Sequence, residues 1–270
     1  ENKGLDFSID YVKRFNKDFD MSFKGTFTYA HNKVLEYDEP DFQKYPNISR
    51  VGHSVDQQLL YIAERLFIDD SELQRNPKQN LGGWVSGGDI KYKNLPDVNG
   101  NYDNVIDSND RQYTGMPTTP EIVYGFGPSL RYKKFDFSFF FQGAARVSIM
   151  MNGIHPFGAD GTRNVLQFIA DDYWSDTNQD IYAGYPRLSK RDNENNTKAS
   201  TYWQRNGAFL KLKNLEVGFN HKFFRVYLRG SNLLTFSPFK YWDPEMGSGS
   251  GLSYPTQRVF NVGVQFSINK

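Results

Sequence analysis

The sequence predicts an all-β protein, and more closely a segment of a transmembrane antiparallel β-barrel with about seven strands and long extracellular loops. Three features of the 270 residues carry this prediction. Apolar and polar residues alternate with a period of two through long paired segments. Short and very long connections alternate between these segments. Aromatic residues make up 16% of the chain, and they suit both strands and the aromatic girdles of barrels.

The composition excludes several other classes of protein. Lysine and arginine number 32 and acidic residues 31, so the net charge of +1 lacks the basic excess of a nucleic-acid-binding protein. The absence of cysteine excludes disulfides, thiol nucleophiles and zinc–thiolate sites. The mean hydropathy is −0.66, and no stretch approaches the ~18 apolar residues of a transmembrane helix. Barrel strands remain compatible with these values because their alternating residues average out as hydrophilic.

The predicted strands form hairpins with tight turns at 13–18, 133–134 and 220–223. The alternation changes phase near Lys213, which a β-bulge would explain. Several strands extend over ten or more residues, whereas strands of soluble proteins average about five to six and membrane-spanning strands need about 9–11. The apolar alternation covers residues 5–11, 19–29, 122–132, 135–141, 215–219, 224–228 and 260–268.

Three long connections are predicted to be extracellular loops, at residues 35–118, 150–208 and 237–256. Outer-membrane barrels combine short periplasmic turns with long extracellular loops, whereas structureless loops of this length are uncommon in soluble domains. A soluble all-β protein is the alternative interpretation of the same alternation.

The two ends of the chain give separate signals. Residues Glu1 to Gly4 contain no signal peptide, and the first strand pattern begins by Leu5, so we expect a processed or cut segment of a longer protein. The last strand carries a polar–x–Gly–x–x–aromatic–x–apolar pattern that resembles the signal read by barrel-insertion machinery. The residues predicted to act in barrel assembly are Asn261, Gly263, Phe266 and Ile268.

Further segments, in order along nearly the whole chain, resemble the SusC/RagA family of TonB-dependent outer-membrane transporters. No segment is specific alone, but their combination and order are. They are Gly88-Asp-Ile-Lys-Tyr-Lys-Asn94, Asp97-Val-Asn-Gly100, Val105-Ile-Asp-Ser-Asn-Asp-Arg111, Gly115-Met-Pro-Thr-Thr-Pro120, Tyr124-Gly-Phe126, Phe139-Phe-Phe-Gln-Gly143, Tyr173-Trp-Ser-Asp-Thr-Asn178, Tyr185-Pro-Arg187, Phe209-Leu-Lys-Leu-Lys-Asn-Leu-Glu-Val-Gly218, Arg225-Val-Tyr-Leu-Arg-Gly-Ser-Asn-Leu-Leu-Thr235, Asp243-Pro-Glu245 and Tyr254-Pro-Thr256.

The resemblance implies that residues 1–270 are the C-terminal part of a 22-strand barrel, without its plug domain. It implies a non-enzymatic importer of oligosaccharides, or less often peptides, in the outer membrane of a Gram-negative bacterium. The implied partners are the rest of the barrel and plug, a SusD-like lipoprotein lid, TonB acting through the plug, and a second transporter–lipoprotein pair. Aromatic faces would meet lipid and polar faces would line the lumen. Residues 51–93 are assigned to an extracellular loop, with an additional pair of spanning strands as the alternative.

A twelve-residue loop resembles calcium-binding loops in the spacing of its oxygen ligands. Hard cations such as Ca²⁺ take six to eight oxygens, and this spacing wraps oxygens around one point. The alternative is a loop whose side chains bond their own backbone. A bound calcium ion would stiffen the loop and take no part in chemistry. The predicted ligands are Asn99, Asn101, Asp103, the Val105 carbonyl, Asp107 and Asp110.

The four tryptophans, Trp84, Trp174, Trp203 and Trp242, lie in or next to the long loops. Stacking on a sugar is the functional interpretation, and packing within the loops or at the membrane interface is the structural one. Two other functions remain open: a soluble, secreted, calcium-stabilised glycan-binding β-protein, and a polysaccharide hydrolase. The hydrolase would need a carboxylate pair, for which the candidates beside a short helical stretch are Asp171, Asp172 and Asp176.

Overall fold

The computed structural model describes residues 1–151, 154, 156–157, 161–190 and 193–267. The predicted assembly residue Ile268 lies outside the described residues. The strands in chain order are β1 (Asn2–Arg14), β2 (Phe19–Asn32), β3 (Gln58–Tyr61), β4 (Ala63–Leu66), β5 (Lys78–Gln79), β6 (Ile90–Tyr92), β7 (Val105–Ile106), β8 (Arg111–Thr114), β9 (Ile122–Tyr132), β10 (Phe135–Ala145), β11 (Ser148–Met150), β12 (Gln204–Asn206), β13 (Phe209–Asn220), β14 (Phe224–Phe236) and β15 (Val259–Phe266). The short helices are α1 (Asp70–Leu73), α2 (Gln167–Asp171) and α3 (Glu194–Thr197).

Seven long strands form one antiparallel sheet in the order β1-β2-β9-β10-β13-β14-β15. Neighbours in this sheet are also neighbours in the sequence of long strands, as in a barrel that runs up and down. This arrangement confirms the predicted all-β class and the seven strands. None of the helices that the structure describes has the length and apolar character needed to cross a bilayer.

The two faces of the sheet differ in chemistry. On one face the aromatic rings of Phe135 and Phe219 lie 5.2 Å apart, and apolar residues such as Leu5 and Val262 are 63% and 76% exposed. On the other face, Arg225 donates hydrogen bonds to Asp136 at 2.6 Å and to Glu216 at 2.5 Å, which links three strands. An apolar face that exposes this much surface is stable only against an apolar environment.

The predicted irregularity near Lys213 is a β-bulge. The pairing of β13 with β14 shifts between Leu212 and Asn214, and the pairing with β10 shifts at the same point. One extra residue reverses the side-chain alternation, which explains the change of phase in the sequence. The bulge thereby keeps polar side chains on the same face of the strand above and below it.

Glycines on the polar face make room for larger side chains from neighbouring strands. A Cβ atom at Gly263 would overlap the ring of Tyr227, its partner across β14 and β15. A Cβ atom at Gly218 would overlap the carboxylate of Asp136. This close approach gives Gly263, a residue of the predicted assembly pattern, a packing role within the sheet.

The long connections differ from the structureless loops that their length suggested, because they contain regular structure and a hydrophobic core. We call residues 33–121, 146–208 and 237–258 the loop cap, as far as the structure describes them. Four small sheets lie in it, formed by β3 with β8, β4 with β6, β5 with β7 and β11 with β12. Residues 51–93 belong to the loop cap and add no strand to the seven-stranded sheet. Its buried core includes Leu60, Leu66, Ile90, Tyr92, Ile106, Ile149, Met151, Ile169, Trp174, Trp203 and Phe239.

Buried charges join the loop cap to the sheet. Lys211 on β13 is 1% exposed on its side chain and pairs with Asp243 at 2.5 Å and with Glu245. Burial raises the pKa of Asp243, but hydrogen bonds, led by that from Lys211, outweigh burial and lower the pKa overall. At the other junction, the carboxylate of Glu121 lies 2.6 Å from Arg146 and 2.5 Å from His31. These pairs fix how the cap segments leave the strands.

Candidate ligand cleft

Two of the sequence segments singled out above, Tyr173–Asn178 and Tyr185–Arg187, meet at one cleft in the loop cap, and a third segment, which begins at Gly88, adjoins it. The cleft is lined by residues 68–70 at the start of α1, by Trp84, Ser86 and Gly87, by residues 173–176 with Gln179, and by Arg187 and Leu188. The cleft has a volume of about 560 Å³, within the range of about 300–1,000 Å³ that is usual for small-molecule sites. Segments far apart in sequence therefore build one concave surface.

The floor of the cleft depends on a close contact between Gly88 and Trp174. Gly88 has a φ of +80°, and a Cβ atom there would overlap the indole ring of Trp174. Glycine is needed here because it adopts this positive φ without strain and because it leaves room for the indole ring. Trp174 is 5% exposed, and its backbone N–H group donates to the carbonyl of Tyr185 at 3.0 Å. The floor is thus held by backbone pairing as well as by packing.

Asp89 organises the polar side of the cleft from a fully buried position. Its carboxylate accepts hydrogen bonds from Arg187 at 2.9 Å, Asn193 at 3.0 Å and Asn196 at 2.8 Å, and from the Ser86 N–H group at 2.8 Å. A buried carboxylate needs such partners to offset its desolvation. These bonds fix the guanidinium of Arg187 at the cleft.

Arg187 in turn holds the exposed ring of Trp84. The guanidinium carbon lies 4.6 Å from the centroid of the Trp84 ring, within cation–π range. Trp84 is nevertheless 69% exposed, so most of its indole surface remains open to solvent. The arrangement orients an aromatic platform without covering it.

Three exposed carboxylates, those of Asp69, Asp70 and Asp176, surround the same cleft. Asp70 accepts hydrogen bonds from the Ser86 hydroxyl at 2.6 Å and the Gly87 N–H group at 2.8 Å. These bonds, that of Ser86 first, lower the pKa of Asp70 below its usual value. Asp69 caps α1 by accepting from the Glu72 N–H group at 2.8 Å. The rim is therefore negatively charged at neutral pH.

The structure separates the four predicted tryptophans into two groups. Trp84 and Trp174 both line the cleft, although only Trp84 is exposed. Trp203 is buried in the core and donates to the Asn196 carbonyl at 2.7 Å. Trp242 packs on Phe239, with ring centroids 4.6 Å apart. Their role in binding stays a prediction, for which Trp84 has the most suitable position.

Sequence reasoning did not single out Asp70 or Arg187 as site residues. Arg187 was visible only as the end of the Tyr185-Pro-Arg187 segment, and Asp70 lies between ordinary helix-start residues. The carboxylates proposed for a hydrolase do not act as one group here, since Asp176 lines this cleft whereas Asp172 lines a second one beside Tyr202 and Tyr241.

In the predicted calcium loop, the carboxylates accept hydrogen bonds from backbone N–H groups. Asp103 accepts from Val105 at 3.0 Å and Asp107 from Asn109 at 2.8 Å. Asp110 accepts from two N–H groups, at 2.6 and 2.8 Å. Asn104 adopts a φ of +58°, the left-handed conformation that the loop requires. No cluster of three or more histidine or carboxylate side chains suited to a metal is found among the described residues; the calcium site stays a prediction.

The described residues of the predicted assembly pattern lie on β15, at one edge of the sheet. Asn261 is opposite Arg229, Gly263 opposite Tyr227 and Phe266 opposite Phe224. The register places the pattern where another strand would add to the sheet. Its recognition by assembly machinery stays a prediction.

Comparison with known proteins gives matches in sequence over nearly the whole chain. No family model matches. The chain is 27% identical to TonB-dependent receptor P3 of Formosa agariphila, over 98% of this chain and 28% of that protein. It is 24% identical to TonB-dependent receptor SusC of Bacteroides thetaiotaomicron, over 98% of this chain and 26% of that protein. The chain thus spans little more than a quarter of the length of these relatives.

The fold is also similar to a solved transporter structure. The RagAB peptide importer in its open-open state matches with a TM-score of 0.68 at 18% identity, over 99% of this chain and 28% of the other. Together, the matches confirm the resemblance to SusC/RagA-type TonB-dependent receptors and the fold of part of such a barrel. The matched proteins are receptors and importers rather than enzymes.

Proposed function

We propose that this chain is the C-terminal barrel segment of an outer-membrane importer of the SusC type, which takes up oligosaccharides. In this proposal a SusD-like lipoprotein covers the loop cap, and TonB supplies energy through a plug that lies outside these residues. Two copies of the transporter–lipoprotein pair assemble together. The chain itself carries out no covalent chemistry.

One observation carries the proposal: a seven-stranded sheet with an exposed apolar face leads into a loop cap with its own core. The strands contain eight to fourteen residues, compared with the about 9–11 needed to cross a bilayer at a tilt. The loop cap provides the wall of a binding chamber above the sheet. A lid and an energised plug are consistent with this design. The names of the relatives, which are TonB-dependent receptors, support the dependence on TonB.

The open edges of the sheet support the presence of further strands. Within the described residues, β1 pairs only with β2 and β15 only with β14. Unpaired backbone groups in the hydrocarbon region are costly because no water is available to bind them. We therefore propose that β1 and β15 pair with the remaining strands of a closed barrel, on another part of the same polypeptide or on a companion chain.

The oligosaccharide assignment rests on the chemistry of the loop cap. An exposed tryptophan beside carboxylates can stack on one face of a sugar ring and accept hydrogen bonds from its hydroxyl groups. The solved neighbour is described as a peptide importer, so peptide is the competing substrate class for the whole transporter.

The proposal is tested by extracting the protein from outer membranes in detergent and measuring the native mass of the complex and the denatured mass of each component. We expect this chain, or the polypeptide that contains it, together with a lipoprotein. Uptake of labelled oligosaccharides and peptides by cells with and without the gene then identifies the substrate class. A detergent-free monomer near the 31.2 kDa of the chain would overturn the importer and favour the soluble glycan-binding protein instead.

A further inference from the structure

We propose that the cleft between Trp84 and Asp176 is a binding subsite for neutral oligosaccharides that rejects anionic ones. The inference rests on the proposed importer and adds a site and a charge preference to it. It follows from the three properties of the cleft described above: an open indole face, a rim of carboxylates and a rigid support.

The open indole face favours the flat, C–H-rich side of a sugar ring. Arg187 occupies one side of Trp84 at 4.6 Å, and the exposed fraction of 69% leaves the remaining surface available. A cationic ligand on that surface would meet a ring whose negative quadrupole already interacts with a guanidinium, so it would gain less attraction. The C–H-rich face of an uncharged sugar ring can stack on the remaining surface without depending on cation–π attraction.

The carboxylate rim determines the charge of the ligand. Asp69, Asp70 and Asp176 all line the cleft, and among the described residues none of them lies in an ion pair. The positive charge of Arg187 is matched by Asp89, at 2.8 Å. The excess charge of the cleft is therefore negative, and it repels uronic acids and sulfated sugars at close range. Hydroxyl groups, in contrast, donate readily to carboxylates.

The support of these groups reduces the cost of ordering them on binding. Asp70 is fixed by Ser86 and Gly87, and Arg187 is fixed by the buried carboxylate of Asp89. The Gly88 contact with Trp174 leaves no space for the floor to collapse. Pre-organised groups bind more tightly because less entropy is lost when the ligand arrives.

The experiment measures binding to the complete detergent-extracted complex by calorimetry. The probes are neutral hexose oligosaccharides, uronic-acid oligosaccharides of matching length and an oligolysine peptide. We expect the neutral probes to bind and the uronic-acid probes not to bind, with a loss of about tenfold in affinity of the neutral probes for Trp84→Ala, corresponding to about 1.4 kcal/mol. The oligolysine peptide tests whether the aromatic platform or the negative charge alone selects the ligand. Tyr102→Ala is the matched control, because Tyr102 is 57% exposed and lies outside the cleft.

A second pair of variants tests the charge preference. Asp70→Asn with Asp176→Asn should let uronic-acid probes bind at least about tenfold more tightly than they bind the unmodified protein, because two repelling charges are removed. Asp41→Asn is the control, an exposed acid outside the cleft. Retained stability of each variant, followed by hydrogen exchange, separates lost binding from misfolding.

The outcomes distinguish this inference from the proposed function. Oligosaccharide uptake that continues while Trp84→Ala binds like the unmodified protein overturns the subsite and leaves the importer intact. Equal binding of neutral and uronic-acid probes overturns the charge preference, and Trp84-dependent binding of oligolysine overturns the ligand class. A complex that takes up peptides but no oligosaccharide overturns both proposals.

Discussion

The sheet and the loop cap use apolar residues in opposite ways. In the cap, Leu60, Ile90 and Ile169 are fully buried, so the cap supplies its own apolar interior. In the sheet, Leu5 is 63% exposed and Phe266 is 75% exposed, although these strands are much longer than those of the cap. The cap therefore buries its apolar residues as a water-exposed protein does, whereas the exposed apolar face of the sheet requires an apolar environment to be stable.

The two regions also differ in how they satisfy the backbone. The sheet pairs its N–H and C=O groups along regular ladders, whereas the cap uses buried amide side chains in place of neighbouring strands. Gln79 and Asn195 both donate to the Ile90 carbonyl, at 3.0 and 2.9 Å, and the Tyr92 N–H group donates to Gln79 at 2.6 Å. Irregular backbone can be buried only with such partners.

The largest expected effect comes from emptying the core of the cap. Leu60→Ala should lower the free energy of unfolding of the cap by about 2–5 kcal/mol, because it removes a fully buried side chain and leaves a cavity. Hydrogen exchange of the cap amides and of the β1–β2 amides in the extracted complex measures the cost of each substitution in its own region. Leu5→Ala, the control on the exposed face, should cost less than about 1 kcal/mol. Equal costs would mean that the apolar face of the sheet packs against protein.

Charge on the apolar face should have the next largest effect. Phe139→Arg should destabilise the sheet by about 2–4 kcal/mol, because Phe139 lies on the apolar face near the middle of β10 (Phe135–Ala145). Ser138→Arg, the adjacent residue on the polar face, should cost much less. The folded fraction of each variant in the outer membrane, measured by its mobility before and after heating, compares them. Similar losses for both variants would argue that the two faces meet the same solvent.

A smaller, pH-dependent effect is expected within the cap at Glu72. Burial raises its pKa, but hydrogen bonds from Arg65, Ile68 and Lys91 outweigh this and lower it from 4.5 to about 2. Since the folded pKa is depressed, the stabilisation is complete above pH 4.5 and is lost as the pH falls toward 2. We expect the cap to lose about 2 kcal/mol between about pH 6 and pH 3 through this group.

The thermal midpoint of the cap across this pH range is the measurement for Glu72. Glu72→Gln should flatten the dependence, because the variant no longer titrates. Glu194→Gln serves as the control, since its side chain is 63% exposed and its ion pair among the described residues, with Lys198, is a distant one at 4.0 Å. An unchanged pH slope in Glu72→Gln would assign the acid sensitivity to other carboxylates.

The sheet was predictable from sequence because its information is local. A period of two identifies each strand, a change of phase identifies the bulge at Lys213, and tight turns pair neighbours into hairpins. Even the register between β9 and β10 follows from the turn at Lys133, which has a φ of +54°. In such a sheet, neighbours in sequence are also neighbours in space.

The cleft was not predictable in the same way because its parts come from distant segments. Asp89 meets Arg187 and Asn196 across about a hundred residues, and no periodicity of the sequence encodes that contact. The resemblance identified the segments that contain Gly88, Trp174 and Arg187 but not their convergence. Their placement depends on the core of the cap, which short strands and irregular backbone conceal from pattern analysis.

The smallest expected effect concerns the predicted calcium loop of the cap. Binding would compete with hydrogen bonds already present, because Asp103 and Asp107 each accept a backbone N–H group. Asp110 is 3% exposed and accepts two backbone N–H groups, and burial raises its pKa.

We therefore expect the loop to bind calcium with a dissociation constant of about 1 mM, as in weak extracellular calcium modules. Calcium at about 2 mM would then stabilise the cap by about 0.6 kcal/mol. Asp107→Asn should abolish this stabilisation because it alters a predicted ligand. The control variant Asp41→Asn, outside the loop, should leave it unchanged. The measurement is the thermal midpoint with calcium and with chelator, and equal midpoints would favour a loop held by its own backbone bonds alone.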